Sequence, residues 1–245
     1  MKLGLPDEIR ACLFDLDGVI TKTAVVHAAA WKEMFDAFLQ ECDGPGFRPF
    51  DSASDYDEYV DGRPREDGVR TFLASRGISL PEGSPDDAPE DNTVHGLGRR
   101  KNILVLEKIR TQGVDAYPGS LKYIDAVRAS GLRTAVVSSS ANCRTILAAV
   151  GAEELFEVRI DGVVAAERNI PGKPAPDTFL EAARELGVAA SEAAVFEDAL
   201  AGMDAGKAGR FGYVVGVDRV GQAEALRAHG ADRVVEDLAD LESNS

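Results

Sequence analysis

The chain has 245 residues, of which 42 are acidic and 27 are basic, so its formal net charge is −15. This length can bury a sizeable core in one large domain or two small ones. Nucleic-acid binding is not expected, because it requires clustered positive charge. A membrane-spanning segment is not expected either, because no apolar run approaches the ~20 residues that a helix needs to cross a bilayer.

The first predicted element is a short buried strand, Arg10–Phe14, followed by two acids, Asp15 and Asp17. Residues i and i+2 of an extended segment point the same way, so both carboxylates can face one ligand. Two acids this close repel each other, and a hard cation such as Mg²⁺ relieves the repulsion. In this interpretation Asp15 is a nucleophile and Asp17 an acid/base. The alternative is a turn, closed by Gly18, with two solvated acids.

A long helix is predicted over Thr23–Gln40 from apolar residues at helical spacing. Its expected buried face consists of Val26, Ala30, Met34, Ala37 and Phe38. Thr23, His27 and Trp31 fall at i, i+4 and i+8, so they share a second face. That face is either further core or part of a functional site.

The next part of the chain alternates between irregular and helical patterns. Residues 43–56 are rich in Gly, Pro, Ser and Asp, and residues 81–92 carry many acids and prolines, so both are predicted to be loops. Helices are predicted over about 66–76 and 98–112. Because no convincing strand occurs, residues 24–113 are predicted to form a helical domain inserted after the first strand.

From Pro118 onwards, strands and helices alternate. The predicted strands are Arg133–Val137, Glu157–Ile160, Ala193–Phe196, Tyr213–Val217 and Arg233–Val235. The predicted helices are Leu121–Ser130, Asn142–Val150, Asp177–Leu186, Ala199–Ala208 and Gln222–His229. Parallel strands need crossover helices, and ligands gather at the carboxyl ends of such strands. The predicted fold class is therefore α/β, with a doubly wound parallel sheet formed by residues 1–23 and 114–245.

Three polar stretches follow predicted strands. Ser138–Ser140 precedes the helix at Asn142, where hydroxyls and free N–H groups suit a phosphate, although serine is also an ordinary helix cap. Lys173 lies in the sequence GKPAPD, where a loop lysine would ordinarily be solvent-exposed. Glu197 and Asp198 end a strand. Since neighbouring residues of a strand alternate faces, at most one of these two acids is expected to point straight at the same metal as Asp15.

Four of these stretches resemble, in order, the four motifs of the haloacid dehalogenase superfamily. They are FDLDGVITKT at Phe14–Thr23, Ser138–Ser140, Gly172–Pro174 and Phe196–Asp198. The stretches between them resemble the β-phosphoglucomutase branch, and the resemblance covers nearly the whole chain. It implies a Rossmannoid core with an inserted helical cap, a Mg²⁺ cofactor and transfer of a phosphoryl group.

The resemblance also implies a role for each core residue. Asp15 takes the phosphoryl group, and Asp17 transfers protons while its backbone carbonyl binds the metal. Lys173 stabilises the charge that develops on the transferring group. Asp198 binds Mg²⁺, with Glu197 as a second ligand or an outer-shell partner. The remaining core candidates are Ser138 as a catalytic residue and Ser139, Ser140 and Asn142 as phosphate contacts.

In the cap, the resemblance implies that His27 and Trp31 help to place the cap and the attacking hydroxyl. Arg65 is the candidate for the second phosphate, because a guanidinium matches a phosphate bidentately. It lies, with Gly62, in a stretch similar to the substrate-specificity loop of the branch. Lys101 lies in another similar stretch, whose alternative interpretation is a solvated basic start of a helix. Thr23 completes the set as a catalytic candidate.

The implied activity is the interconversion of β-D-glucose 1-phosphate and glucose 6-phosphate, through phospho-Asp15 and a glucose 1,6-bisphosphate intermediate. The alternative on the same scaffold is a Mg²⁺-dependent sugar-phosphate phosphatase, which is favoured if the cap admits water. A phosphonate-cleaving relative is disfavoured, because that branch lacks an acid at the position of Asp17. A non-catalytic binding protein would keep such a site only by accident.

Several residues depart from the pattern of the branch. Lys22 stands where an acid is usual, Ala141 replaces a frequent lysine, and Gly68 falls where a small hydroxyl residue occurs. The two irregular stretches also lengthen the cap. The preferred sugar phosphate therefore stays open.

The cellular compartment is predicted from the cysteines and the start of the chain. Cys12, Cys42 and Cys143 are scattered without a CxxC pair, which favours reduced thiols over a disulfide framework or a zinc site. The opening MKLGLPDEIR lacks the apolar core of a signal peptide, so export is not expected. We expect a cytoplasmic monomer that acts on a small molecule, although the sequence does not determine the oligomeric state.

Overall fold

The structure is a computed structural model that describes residues 3–242, so the extreme ends of the predicted sheet domain lie outside the described residues. The chain divides into two units. We call Met1–Lys22 with Val114–Ser245 the sheet unit, and Thr23–Gly113 the helical unit. Among the described residues, no helix is both long and apolar enough to cross a membrane.

The elements are numbered in chain order. The strands are β1 (Ala11–Phe14), β2 (Arg133–Val137), β3 (Val158–Ile160), β4 (Ala193–Glu197), β5 (Tyr213–Val217) and β6 (Arg233–Val235). The α-helices are α1 (Ala24–Asp43), α2 (Arg65–Ser75), α3 (Val94–Gln112), α4 (Pro118–Ala129), α5 (Cys143–Ala149), α6 (Gly162–Arg168), α7 (Asp177–Glu185), α8 (Leu200–Ala208) and α9 (Ala223–Ala228).

The sheet unit is built on six strands in the order β3-β2-β1-β4-β5-β6. Every pairing is parallel, and Phe14 of β1 lies in register with Val136 of β2 and Phe196 of β4. Each crossover contains a helix, as parallel strands require. The predicted α/β class and the parallel sheet are confirmed. Because β1, β2 and β4 are neighbours, the residues that follow them meet at one edge.

The middle of the sheet is apolar on both faces. All residues of β1 and β4 are buried, and the rings of Phe14 and Phe196 stack with their centroids 4.4 Å apart. Continuous apolar strands of this kind are typical of a sheet covered by helices on both sides. This packing holds the ends of β1 and β4 side by side, and therefore the acids at those ends as well.

The helical unit encloses an aromatic core around Phe35 of α1. The Phe35 ring centroid lies 5.1 Å from that of Trp31, 5.3 Å from that of Phe50 and 4.1 Å from that of Phe72. Trp31 is thus part of the core, which is one of the two interpretations given above for its face of the helix. Ala37, however, was expected to be buried and is exposed. The apolar pattern of α1 is nearly continuous, so periodicity alone did not select the buried face.

The helical unit also differs from its prediction at the start of α3. This helix begins at Val94 instead of Gly98, because the Thr93 hydroxyl accepts the N–H of Gly96 at 2.9 Å and caps it. Glycines have low helix propensity, which hid this first turn. Farther back, Tyr56–Val60 forms a π-helical turn that begins at the last residue of the stretch 43–56, which was predicted as loop.

In the sheet unit, helix α6 was missed. The Asp161 carboxylate accepts the N–H groups of Val163 and Val164 at 3.1 and 3.0 Å, which caps the first turn. Helix α6 has seven residues, and none of them is fully buried. A short helix without a buried stripe leaves no periodic signal.

We expect Phe35→Ala to destabilise the helical unit by ~3–5 kcal/mol, because it leaves a cavity among three aromatic rings. Urea unfolding can be followed through the fluorescence of Trp31, since the chain contains one tryptophan. Phe35→Leu fills more of this space than Phe35→Ala does and should therefore lose less stability. Equal unfolding midpoints for wild type and Phe35→Ala would show that this ring does not support the core.

Candidate active site

The site lies where the two central strands end. Asp15 follows β1, and its N–H donates to the carbonyl oxygen of Phe196 at 2.9 Å. Glu197 is the last residue of β4, and Asp198 comes next. The carboxylates of Asp15, Glu197 and Asp198 each offer an oxygen within 4.8 Å of the others, and all three residues are buried. Neighbouring parallel strands therefore bring together acids that are far apart in the chain.

Both Glu197 and Asp198 belong to this cluster. That at most one of them points straight at a metal shared with Asp15 stays a prediction. Side chains alternate faces only while the backbone stays in a strand. Strand β4 ends at Glu197, and Asp198 lies beyond it. The change in backbone direction at the end of the strand lets both carboxylates approach Asp15.

Lys173 lies in the middle of the cluster and is 1% exposed, unlike an ordinary loop lysine. Its Nζ donates to Asp15 Oδ1 at 2.5 Å, to Glu197 Oε1 at 2.6 Å and to the carbonyl oxygen of Val137 at 3.0 Å. These three bonds use all the donors of an ammonium. Lys173 therefore joins the ends of β1, β2 and β4.

The cluster shifts the pKa values of its own members. Burial raises the pKa of the Asp15 carboxyl well above its usual range; the Lys173 ammonium opposes this rise, and Glu197 and Asp17 add to it. Burial works to lower the pKa of Lys173, but the adjacent Asp15 and Glu197 outweigh it and leave that pKa raised. Lys173 thus stays protonated and holds one positive charge among the carboxyl groups of three acidic residues.

The donor set fits a hard divalent cation. Carboxylate oxygens are the ligands that Mg²⁺ prefers, and a cation would balance the remaining negative charge. Glu197 is already bonded through both oxygens, because Lys173 holds Oε1 and the N–H of Ala199 donates to Oε2 at 2.9 Å. This geometry favours Asp15 and Asp198 as direct ligands and Glu197 as an outer-shell partner.

The turn that carries Asp17 packs directly against Asp198. Gly18, at φ 91°, makes the contact possible, since a Cβ there would lie 1.7 Å from Asp198 Oδ2. The turn is closed by the Gly18 N–H, which donates to the carbonyl oxygen of Thr21 at 2.7 Å. The Asp17 carboxylate is not part of the three-acid cluster found among the described residues. Its side chain is half-buried beside the cluster.

The serine stretch follows β2, whose neighbour is β1. Ser138 is buried, and its hydroxyl accepts the N–H of Ser140 at 3.0 Å. The Ser140 hydroxyl accepts the N–H of Asn142 at 3.1 Å, while Ser139 lies between them on the same loop. Helix α5 begins at Cys143, one residue after the predicted start. These hydroxyls thus close turns of the loop, an ordinary role for serine, at the edge where the acids lie.

Within the helical unit, three predicted residues form one group. Lys101 is buried, and its Nζ lies 2.9 Å from His27 Nδ1 and 4.7 Å from the centre of the Trp31 ring. An ammonium can only donate, so Nδ1 accepts, and a neutral His27 carries its proton on Nε2. The interpretation of Lys101 as part of a solvated helix start is wrong.

The other predicted residues of the helical unit lie at helix starts and in turns. Thr23 is buried at the N-cap position of α1. Gly62 has a φ of 69° in the turn before α2. Arg65 is the first residue of α2, and its Nε and Nη2 donate to Glu66 Oε1 at 3.0 and 2.9 Å. The Arg65 guanidinium is therefore held in place by its neighbour.

Two departures from the family pattern have a structural account. A Cβ at Gly68 would lie 3.1 Å from the Trp31 ring, so a larger residue would push against the aromatic core. Lys22 lies 5.7 Å from the centre of the Tyr117 ring within the sheet unit. Ala141 is exposed in the serine loop, and nothing in the structure explains its replacement of lysine.

Sequence reasoning missed two residues whose side chains bond to backbone carbonyl groups of the site. Arg219 Nε donates to the carbonyl oxygen of Gly18 at 2.9 Å, and Gln222 Nε2 donates to that of Asp198 at 3.0 Å. Gly202 was also missed, although a Cβ there would lie 1.8 Å from Glu197 Oε1. The one available signal was position, since Arg219 and Gln222 follow a strand that ends at the same edge.

The sequence pattern described as haloacid dehalogenase-like hydrolase matches residues 9–210. The chain therefore belongs to that family, in its β-phosphoglucomutase-like branch, as the resemblance predicted.

Individual relatives carry the name of that branch. The chain is 56% identical to the β-phosphoglucomutase of Mycobacterium bovis, over 98% of this chain and 94% of that protein. It is 33% identical to the β-phosphoglucomutase of Bacillus subtilis, over 95% and 92% of the two chains. Among solved structures, the β-phosphoglucomutase of Clostridium difficile is similar with a TM-score of 0.74 and 27% identity, over 96% and 93% of the two chains.

We expect Lys173→Met to destabilise the protein by about 3–5 kcal/mol, because it leaves two buried carboxylates without their partner. Adding Glu197→Gln should recover part of the loss, since it removes one of the uncompensated charges. Urea unfolding measures both effects. The matched control is Lys122→Met, whose side chain is 68% exposed and pairs with Glu242. A Lys173 variant as stable as this control would contradict the assignment of Lys173 as the cluster's counter-ion.

Proposed function

We propose that this chain is a β-phosphoglucomutase, which interconverts β-D-glucose 1-phosphate and glucose 6-phosphate. The observation that carries the proposal is the buried group of Asp15, Lys173, Glu197 and Asp198 at the carboxyl edge of the sheet. A nucleophilic carboxylate held beside a protonated lysine suits phosphoryl transfer. The 56% identity to a β-phosphoglucomutase over nearly the whole chain supports the choice of a mutase.

In the proposed reaction, an Asp15 oxygen bonds to phosphorus while the bond to the leaving sugar oxygen breaks. Asp17 protonates that oxygen and later takes the proton of the attacking sugar hydroxyl. In that transfer the 6-hydroxyl oxygen of β-glucose 1-phosphate bonds to phosphorus while the bond from phosphorus to Asp15 breaks, which gives glucose 1,6-bisphosphate. The bisphosphate then passes its C1 phosphoryl group to Asp15, and glucose 6-phosphate leaves. Lys173 orients Asp15 and offsets negative charge on the phosphoryl oxygens.

Mg²⁺ completes the proposed site. The residues that would hold it are Asp15, Asp198 and the backbone carbonyl of Asp17, with Glu197 as the outer-shell partner. When bound, Mg²⁺ supplies positive charge against the oxygens of the phosphoryl group.

We assign the helical unit the role of a cap domain. Its proposed task is to exclude water and to bind the second phosphate, with Arg65 as the main contact. The supporting candidates in this unit are Thr23, His27, Trp31, Gly62 and Lys101. In the sheet unit, Ser138 binds the transferring phosphoryl group, and Ser139, Ser140 and Asn142 contact the other phosphate. The proposal includes a monomer in the cytoplasm, with one sugar phosphate as substrate.

Phosphorus NMR of the protein with β-glucose 1-phosphate, Mg²⁺ and a trace of glucose 1,6-bisphosphate tests the function. We expect the glucose 6-phosphate signal to grow without a matching rise of inorganic phosphate. Asp15→Asn should lower the rate by at least about 1,000-fold, because it removes the nucleophile. Release of inorganic phosphate at the rate of substrate loss would instead identify the runner-up, a sugar-phosphate phosphatase.

Chelation tests the metal. We expect EDTA to abolish turnover and added Mg²⁺ to restore it. Asp198→Asn should weaken Mg²⁺ binding in calorimetry more than Glu197→Gln does, since we propose Asp198 as a direct ligand. An outer-shell change costs about 10- to 100-fold in metal affinity or activity. Full turnover in EDTA would contradict the metal assignment, and a larger loss at Glu197 would reverse the two roles.

A further inference from the structure

A loop of the sheet unit that the mechanism does not use lies next to the site. It consists of Asp218–Gln222, which we call the β5 loop, and it follows β5 at the carboxyl edge of the sheet. Strand β5 pairs with β4, so the loop begins beside the segment that carries Glu197 and Asp198. Its side chains donate hydrogen bonds to the backbone of the two segments that we propose bind the metal, the turn that carries Asp17 and the segment of Asp198.

The β5 loop has a fixed shape of its own. Asp218 Oδ1 accepts the N–H groups of Val220, Gly221 and Gln222 at 3.2, 2.7 and 2.8 Å. Gly221 has a φ of 85°, which a residue with a side chain rarely adopts. One carboxylate oxygen thus organises the backbone from which Arg219 and Gln222 extend.

Arg219 joins this loop to the turn that carries Asp17. Its Nε donates to the Gly18 carbonyl oxygen at 2.9 Å, and its guanidinium lies 3.6 Å from the centre of the Tyr117 ring. At its other end, Nη1 donates to the carbonyl oxygen of Glu236 at 2.5 Å. The side chain is 14% exposed, so the contact is largely shielded from water.

The contacts of Arg219 argue against an anion-binding role. Nη1 also lies 3.3 Å from Asp237 Oδ2, and Nη2 lies 3.4 Å from Ser120 Oγ and 3.5 Å from the Val19 carbonyl oxygen. Each of its three nitrogens thus has an oxygen of the protein as a partner. A guanidinium bonded in this way holds the backbone instead of a phosphate.

Gln222 makes the corresponding contact to the other segment. Its Nε2 donates to the carbonyl oxygen of Asp198 at 3.0 Å. Because Gly18 has no Cβ, the Asp198 carboxylate rests against the turn that Arg219 holds. A shift of either backbone segment would therefore move Asp17 and Asp198 relative to each other.

We propose that Arg219 and Gln222 are positioning residues that hold the Asp17 turn and the Asp198 segment at a fixed separation. The expected effect of these residues on turnover rests on the proposed function. Their expected effects on backbone order and on Mg²⁺ affinity do not. Active-site groups must be held within about 0.5 Å of their working positions, so loss of a backbone anchor is costly even without substrate contact.

Arg219→Met tests the first contact, since it keeps the length and bulk of the side chain but removes its donors. We expect kcat to fall about 10- to 100-fold with little change in KM, and the Mg²⁺ dissociation constant to rise. Arg219→Lys restores a donor and should recover most of kcat. Arg184→Met, at a site that is 68% exposed, is the matched control and should behave as wild type.

Gln222→Met tests the second contact and should weaken Mg²⁺ binding in calorimetry, even if Arg219→Met folds poorly. Amide exchange gives a readout that needs neither metal nor substrate. The amides of Gly18, Ile20 and Thr21 close the Asp17 turn and should exchange faster in Arg219→Met than in wild type.

Unchanged amide exchange, Mg²⁺ affinity and kcat in both methionine variants would overturn the proposal. Arg219→Lys as impaired as Arg219→Met would overturn the assigned backbone contact. A wild type that turns over no glucose phosphate would refute the proposed function alone, because amide exchange and Mg²⁺ binding would still decide the role of the β5 loop.

Discussion

The site depends on one buried ion-pair group, in which the ammonium of Lys173 lies between the carboxylates of Asp15 and Glu197. Buried charges are expensive, and removing one partner of such a group leaves the others uncompensated. The third bond of the ammonium goes to the carbonyl oxygen of Val137, so a single side chain ties together the ends of three strands. The strand order β2-β1-β4 is what makes these bonds possible.

Glycine provides the space that this charge cluster needs. Gly18 lets the turn that carries Asp17 contact Asp198, and Gly202 on α8 leaves room for the Glu197 carboxylate. At both positions a Cβ would lie less than 2 Å from a carboxylate oxygen. The acids are therefore held by close backbone approach as well as by hydrogen bonds. Their mutual repulsion is balanced in part by Lys173 and, in the proposed enzyme, by Mg²⁺.

The sequence predicted the strands of the sheet and the motif residues at their ends, because alternating apolar runs and helices leave a strong signal. It did not predict α6, whose seven residues have no buried stripe. Strand alternation also did not predict that Glu197 and Asp198 both join the Asp15 cluster, since it cannot tell where a strand ends. The contacts of Arg219 and Gln222 were invisible because they go to backbone carbonyls of distant segments, which no local pattern encodes. Long-range contacts of this kind depend on the folded topology alone.

The same cluster could serve a mutase or a phosphatase, so the choice between water and a sugar hydroxyl must come from groups outside it. Each tenfold preference requires ~1.4 kcal/mol, and a 1,000-fold preference therefore requires about 4 kcal/mol. A bidentate, charge-assisted contact to a second phosphate can supply much of this. Glu66 already holds the Arg65 guanidinium through Nε and Nη2. In the proposed enzyme, an arginine fixed before the substrate arrives loses less side-chain entropy on binding, so more of its contact energy remains for selecting the sugar phosphate over water.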